Sequence, residues 1–259
     1  MNLAFFLFPL NLILAILWFG LMVWLYNDRR KSLFVRFMLS TEATCIAVLS
    51  FLILALITGC TGMREIVRTW PSAIVFLYFQ TVLFFVIMRG WRLPTATGAR
   101  LGTVRWRFLL NHVGILLAVG AAFWGSPDSE TMRVRALRGL PVKEAFKMDG
   151  SSAWLPYEII LNDFSVNTYE DGTPSMYEAL LTVGDEDVIL RVNSPFARSF
   201  GEDLYLVGYD PDAGSQSQYC VIEIVREPWK YAAVSGIIMM IAGALLLFIN
   251  GPVKRNDND

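Results

Sequence analysis

The chain has 259 residues and a formal net charge of −1, with 55% of its residues hydrophobic and 17% charged. Its mean hydropathy is +0.47, and its charged fraction falls below the quarter or so usual in soluble domains. The apolar residues are gathered into long runs, which excludes a single soluble core and points to a membrane protein with one water-facing insert.

Taken in chain order, five runs predict spanning helices: Asn2–Tyr26, Phe37–Gly59, Pro71–Met88, Phe108–Trp124 and Tyr231–Ile249. Each approaches or exceeds the roughly 17–25 residues that cross the hydrocarbon core. The first lacks a basic start, is too long, and has no small-residue cleavage site before Asp28. It therefore reads as a span and not as a cleaved signal peptide. The fourth is the shortest and is expected to lean on protein neighbours.

Basic residues between the runs set the expected orientation. One set is Arg29, Arg30, Lys31 and Arg36; a second is Arg89, Arg92, Arg100, Arg105 and Arg107; the tail adds Lys254 and Arg255. With five spans all three sets fall on one side, expected to be the cytoplasm. The short loop with Arg64 and Arg68 falls on the other side, together with the N-terminus and the insert. From Gly125 to Trp229 the insert carries 18 Asp or Glu against 8 Lys or Arg.

The insert changes pattern to short alternating stretches divided by turn residues. Strands are expected over 157–166, Tyr177–Val183, Val188–Val192, Asp203–Tyr209 and Gln218–Arg226, with turns at 170–173, 184–187 and 211–215. Asp128–Gly150 is expected to hold another strand and a short helix. The expected fold is thus an α-helical membrane protein of about five spans, with an extracytoplasmic all-β domain inserted before the last span. The β domain is a small antiparallel sandwich or open barrel. The boundaries are 1–124 for four transmembrane helices, 125–229 for the β-rich domain, and 230–259 for the last helix and cytoplasmic tail.

The acidic insert argues against nucleic acid as a partner, because phosphates demand basic surface. It contains no histidine, so a Ser-His-Asp arrangement is impossible there, and it has no glycine-rich phosphate loop and no HExxH. Glu158, Asp163, Glu170 and Asp171 read as solvated or turn carboxylates. No CxxC or CxxCH occurs among Cys45, Cys60 and Cys220, which leaves a covalently held haem and a redox dithiol unsupported. Cys60 and Cys220 are expected on the same side, where pairing or two plain thiols are both open.

His112 is the one histidine, about a turn inside the fourth run. An ionisable side chain in a span is a functional hypothesis by default. Its helical neighbours Phe108, Ile115, Leu116 and Val119 are all apolar. That face suits an axial ligand to haem, which needs hydrophobic walls; an interfacial histidine bonded to Asn111, a backbone carbonyl or headgroup water fits equally well. Gly114, Gly120, Ala121 and Ala122 smooth the same helix for close packing. Glu42 reads as a boundary carboxylate or a proton- or propionate-linked group. Trp18, Trp24, Trp70, Trp91, Trp124 and Trp229 read as interfacial anchors.

Several stretches resemble the ResB-type family of cytochrome c biogenesis: LPYEIILNDFSVNTYEDGTPSMYEALLTV (155–183), ILRVNSPFARSFGEDLYLVGYD (189–210) with its Val-Asn-x-Pro step, and VIEIVREPWKYAAVSGIIMMIAGALLLF (221–248). FLLNHVGILLAVGAAFWG (108–125), with its His-x-Gly, resembles the span before the extracytoplasmic domain in that family. The resemblance implies a System II role, in which a ResB-type subunit works with a CcsA-type membrane protein. Together such proteins carry haem b across the membrane and attach it to CxxCH apocytochrome c. Carried over by motif, the haem-iron ligand here is His112, and the chain would be a non-catalytic or co-catalytic subunit of the haem lyase. Two departures stand out: four spans precede the domain where the family usually has three, and the tryptophan-rich haem-handling segment of the partner is absent. The alternatives from the residues are a haem-free, membrane-anchored extracytoplasmic binding or sensing module and, more weakly, a quinone-linked electron-transfer subunit.

Overall fold

The computed structural model of the protein describes residues 6–61, 66, 69–91, 105–171 and 173–250. Arg64, Arg68, Arg92, Arg100, Lys254 and Arg255, together with the Trp91 side chain, lie outside the described residues. The chain divides into two compact units, one holding the residues up to Pro127 with those from Trp229 onward, the other Asp128–Pro228.

The first unit is helical: α1 (Leu10–Asp28), α2 (Leu33–Met38), α3 (Thr41–Thr61), α4 (Trp70–Trp91), α5 (Trp106–Gly125) and α6 (Lys230–Asn250). Five of them, all but α2, are long and apolar enough to cross a membrane. The second predicted span is corrected at its start. Phe37 belongs to the short α2, and α3 begins at Thr41 after a break at Leu39–Ser40. The break follows from local chemistry: Ser32 caps α2 by accepting from Val35 N, and Ser40 starts a new helix by accepting from Ala43 N at 3.1 Å.

Buried Met22, Tyr26, Val35, Ala43, Val82 and Phe85 form a core between α1, α2, α3 and α4. Aromatic rings stack across the helices, with Phe51 and Phe79 centroids 4.6 Å apart and Phe76 and Phe123 5.4 Å apart. Arg89 at the end of α4 donates to Leu39 O, Phe108 of α5 lies over Gly90 of α4, and Asn111 of α5 touches Gly243 of α6. These contacts gather Arg29, Arg30, Lys31, Arg36, Arg89, Arg105 and Arg107 at one end of the helices, with Lys230 at the other. Such a bias is what the positive-inside rule reads.

The second unit is an eight-stranded, wholly antiparallel sheet: β1 (Glu130–Leu137), β2 (Val142–Lys147), β3 (Ser152–Thr168), β4 (Pro174–Val183), β5 (Glu186–Arg191), β6 (Phe196–Ser199), β7 (Glu202–Tyr209) and β8 (Tyr219–Arg226). The order is β5-β4-β3-β2-β1-β8-β7-β6, so the first and last strands are neighbours in the middle. Edge strands β5 and β6 are consecutive, joined by Val192–Pro195, a connection that reaches at most about 18 Å. A flat sheet of eight strands would hold its edges about 34 Å apart. The sheet must therefore curl, and bulges at Val142/Glu144 and Leu161/Asp163 help it bend. Of the two predicted shapes, this is the open barrel.

Inward positions of every second residue fill its core, among them Val134, Ile159, Leu181, Leu190, Leu204 and Ile222. Each such side chain stabilises by about 2–3 kcal/mol through burial. The turn expected at 184–187 is the two residues Gly184–Asp185, with Gly184 at φ 61 as a primed hairpin turn needs. Asp128–Gly150 departs from expectation. It forms two strands with no helix beyond the 3-10 turn Ser126–Asp128, because pairing of β2 to both β1 and β3 overrides the local helix preference of KEAFK.

Candidate functional site

His112 sits in the second turn of α5 and is half-buried. Its Nδ1 lies 2.8 Å from Phe108 O, one helical turn back. A carbonyl only accepts, so this bond places the proton on Nδ1 and leaves the Nε2 lone pair unused. No described residue bonds Nε2. The imidazole stacks on the Phe108 ring at 4.0 Å and 28°, and that ring lies over the bare backbone of Gly90, where a Cβ would collide with it. The side chain is thus held on two counts, by a hydrogen bond and by a ring wedged between helices. Of the four apolar neighbours expected, Phe108 is the one that orients it.

Small residues of α5 settle which way the helix is turned. Gly114 and Gly236 of α6 touch backbone to backbone, and a Cβ on Gly236 would stand 2.6 Å from Gly114 O. A Cβ on Gly243 would stand 2.5 Å from Asn111 Nδ2, while Asn111 itself donates to Arg107 O. Trp229 covers Gly125. Asn111, Gly114 and Gly125 therefore form the face against α6. His112 follows Asn111 by about 100° of helical rotation, which turns it off that seam. Gly120 instead faces Gln80 of α4.

The fit to haem can be judged from this geometry. An imidazole with Nδ1–H on a backbone carbonyl and Nε2 free is the arrangement of an axial ligand. Apolar Phe108, Ile115 and Leu116 beside it suit a porphyrin edge. The chain supplies one such nitrogen only, and no cluster of His, Cys, Asp or Glu able to hold a metal occurs among the described residues. The residues fit half a site. A pocket of about 400 Å³ near the same end, lined by Ile87, Met88, Trp106, Leu109, Val113 and Met239, does not include His112.

A second constellation escaped the sequence reading. Trp124 is more than a boundary anchor: its Nε1 donates to Gln80 Oε1 at 3.1 Å, and its carbonyl accepts from Asn11 Nδ2 at 2.8 Å. Asn11 and Gln80 are 1% and 0% exposed, so this string ties α1, α4 and α5 inside an apolar bundle. Beside it is an apolar pocket of about 370 Å³ whose lining includes Trp18, Trp70, Leu77, Phe123 and Trp124. Trp18 lies in the middle of α1 and not at its boundary. The signal was available, since Asn11 and Gln80 are uncharged polar residues within apolar runs.

In the β unit, Glu202 is buried and receives Tyr157 Oη at 2.8 Å, Arg198 Nη1 at 3.1 Å and Arg226 Nε. Arg198 lies 3.5 Å over the Tyr157 ring. Burial pushes the Glu202 carboxyl up, yet the hydrogen bonds from Arg226, Tyr157 and Arg198 hold it below the usual carboxylate range. Burial and the Glu202 carboxylate push the Tyr157 phenol well up. A polar pocket of about 500 Å³ lies against Tyr157, Arg198, Glu158, Asp185 and Glu186. The other expected carboxylates are structural: Glu158 pairs with Lys143, Asp163 with Arg138, and Asp171 accepts from Thr173 in its turn, while Glu170 is exposed. Glu42 is exposed in the first turn of α3. The three cysteines are free, and Cys220 is fully buried in the barrel core, its thiol pushed up to about 12 by burial.

Residues 96–217 match the ResB-like family. Those residues are just under half of the chain, and over them it is similar to that family. The match takes in α5 with His112, the Glu202 cluster apart from Arg226, and the Val-Asn-x-Pro step, where Asn193 takes φ 59, a backbone that asparagine tolerates. The ResB-like residues stop before β8 and α6, so the likeness quoted over 221–248 falls outside them. Among solved structures, one titled "Cytochrome c Heme Lyase CcmF" is 14% identical with a TM-score of 0.42, over 76% of this chain and 33% of its own. The chain therefore spans about a third of that protein's length. No curated protein matches.

Proposed function

We propose that this ResB-like chain is the ResB subunit of a System II cytochrome c biogenesis complex. In this reading it helps move haem b across the cytoplasmic membrane and attach it to apocytochrome c, in company with a CcsA-type membrane protein. The β unit faces the outside and positions the apocytochrome or the partner, while bond formation belongs to the complex. His112 supplies one axial ligand near the cytoplasmic face, where the basic ends of the helices gather.

The observation that carries the reading is the pairing of the family match with an imidazole whose Nδ1 is occupied and whose Nε2 has no hydrogen-bond partner among the described residues. Since the chain supplies half a site, the second ligand and the second wall come from the partner. The test is to purify the chain with the CcsA-type partner and record the haem Soret band. His112→Ala should lower bound haem severalfold, and exogenous imidazole should restore part of it. Unchanged haem content in His112→Ala would remove the ligand role. Cells lacking the chain should lose all covalent c-type haem by haem stain, and intact c-type cytochromes there would overturn the functional class.

A further inference from the structure

The two ends of the β barrel differ in what their loops expose. The register Glu130↔Arg226 places the start of β1 beside the end of β8. The register Met132↔Lys147 carries the β2–β3 tip, Met148–Ser151, to the same end, and Glu202↔Arg226 does so for the β6–β7 tip at Phe200–Gly201. Along the sheet the order at this end is therefore the β2–β3 tip, the entry to β1, the exit from β8, and the β6–β7 tip. Phe146, Met148 and Trp154 on the first tip are 47%, 67% and 76% exposed, and Phe200 on the second is 74% exposed. Phe146 and Trp154 share the outer face, since Phe146 pairs with Ser152 and Glu144 with Trp154.

These are costly residues to leave in water. Phe, Met and Trp at hairpin tips contribute nothing to the barrel core, and a Trp and a Phe straddle the points where the chain enters and leaves the unit. The opposite end exposes Leu140 and Tyr169, but its connections also carry Glu170, Asp171, Asp210 and Asp212. The third tip at the near end, Gly184–Asp185, is acidic and lies away from the two attachment points in the sheet order.

The chain itself limits how far this end can stand from a bilayer. Four residues, 126–129, separate α5 from β1, and three, 227–229, separate β8 from α6. Those tethers reach at most about 18 Å and 14 Å. Each tip stands only one or two strand spacings, about 5–10 Å, to the side of a tether point. The headgroup layer is itself about 5–8 Å deep on each side of the hydrocarbon. Both α5 and α6 are helices long and apolar enough to span.

We propose that the β2–β3 and β6–β7 tips are two lipid-contacting feet, with Trp154, Phe146, Met148 and Phe200 seated in the headgroup layer on either side of the attachment points. Aromatic side chains favour that layer because their rings find apolar contact and the indole N–H finds acceptors there. Asp149, held in its turn by Ser151, is the one charge between Met148 and Ser151, and neither tip carries a basic residue, so the contact does not call for anionic lipid. Two feet astride two tethers resist rocking of the barrel along the row that the four points make.

The full chain in vesicles of phosphatidylcholine alone tests this, with a photoreactive benzophenone amino acid placed at Trp154, Phe200 or, as the far-end control, Tyr169. All three side chains are exposed, so the barrel core is undisturbed. Lipid adducts on the peptides carrying positions 154 and 200, and none at 169, is the expected result. Adducts at none of the three, equal adducts at all three, or crosslinks from 154 and 200 to a co-purified protein in place of lipid would each overturn the proposal. Its failure leaves the haem reading untouched, because the haem reading rests on His112.

Discussion

In the helical unit, large apolar side chains such as Leu17, Leu56 and Ile238 are exposed, and the contacts between helices run through Gly114, Gly236 and Gly243. In the β unit the arrangement is reversed: Ile159, Leu181 and Ile222 are wholly buried, and the outer face carries ion pairs such as Arg133–Glu223 and Arg191–Glu178. The difference follows from the solvent each unit expects. Lipid gives apolar side chains no reason to leave it, so helices associate through close backbone approach and a few hydrogen bonds. Water drives the barrel's apolar residues inward.

Substitutions that respect one solvent and offend the other separate the two cases. The largest effect is expected at Ile222→Ala, which opens a cavity among fully buried side chains and should cost the barrel about 4 kcal/mol by denaturant unfolding. The same change at Ile238, 60% exposed on α6, should leave stability in detergent close to wild type. Next is Glu202→Gln, which leaves Arg198 and Arg226 without their carboxylate and should cost about 2–3 kcal/mol near neutral pH. Because the folded carboxyl of Glu202 is held low, its contribution is present above the unfolded value of about 4.3 and is lost as pH falls through the folded one. Wild type should therefore lose stability on acidification more steeply than Glu202→Gln. Tyr157 works in the opposite direction. Its phenol is raised, so its contribution holds below about pH 10 and fades above it.

In the helical unit, Gly236→Ala forces a methyl against the α5 backbone and should cost about 2 kcal/mol as a lowered Tm in detergent. Gly208→Ala in the barrel, with Val221 side-chain atoms 3.6 Å or more away, should be accommodated. Trp124→Phe removes the indole donor to Gln80 and should cost about 1 kcal/mol. The smallest effect is expected at Arg133→Ala, whose ion pair with Glu223 is half in water and worth under about 1 kcal/mol.

The spans and, β6 apart, the strands after β2 were legible because hydrophobic length and strict alternation are local signals. Five runs became five long helices, and 157–166, Tyr177–Val183 and Gln218–Arg226 lie within or against β3, β4 and β8. The β1–β2 hairpin was half legible: Val134 and Ala136 alternate with Arg133 and Arg135, but KEAFK looks helical until its ladder partners are known. The α5–α6 seam was half visible as well. Gly114 announces a smooth face, yet nothing local says that its partner is Gly236, more than a hundred residues on. Glu202 lies one residue ahead of the strand expected over Asp203–Tyr209 and carried no reading of its own, because its burial depends on Tyr157, Arg198 and Arg226 converging from three other strands. His112 stood out by being alone. What held it, the Phe108 ring against Gly90, required α4 to be in place.

The pairing of β1 with β8 has a consequence for synthesis. Eight residue pairs, from Glu130↔Arg226 to Leu137↔Tyr219, join the two ends of the β unit, so the barrel lacks its central seam until Arg226 has left the ribosome. Only Glu227, Pro228 and Trp229 separate that residue from α6. A nascent chain would hold α5 with an unclosed sheet behind it for most of the insert's translation, at about 5–20 residues per second. Closure of the seam and arrival of the last helix are then nearly one event. A truncation ahead of Tyr219 would remove both together, leaving unpaired strand edges and a helix seam with one side missing.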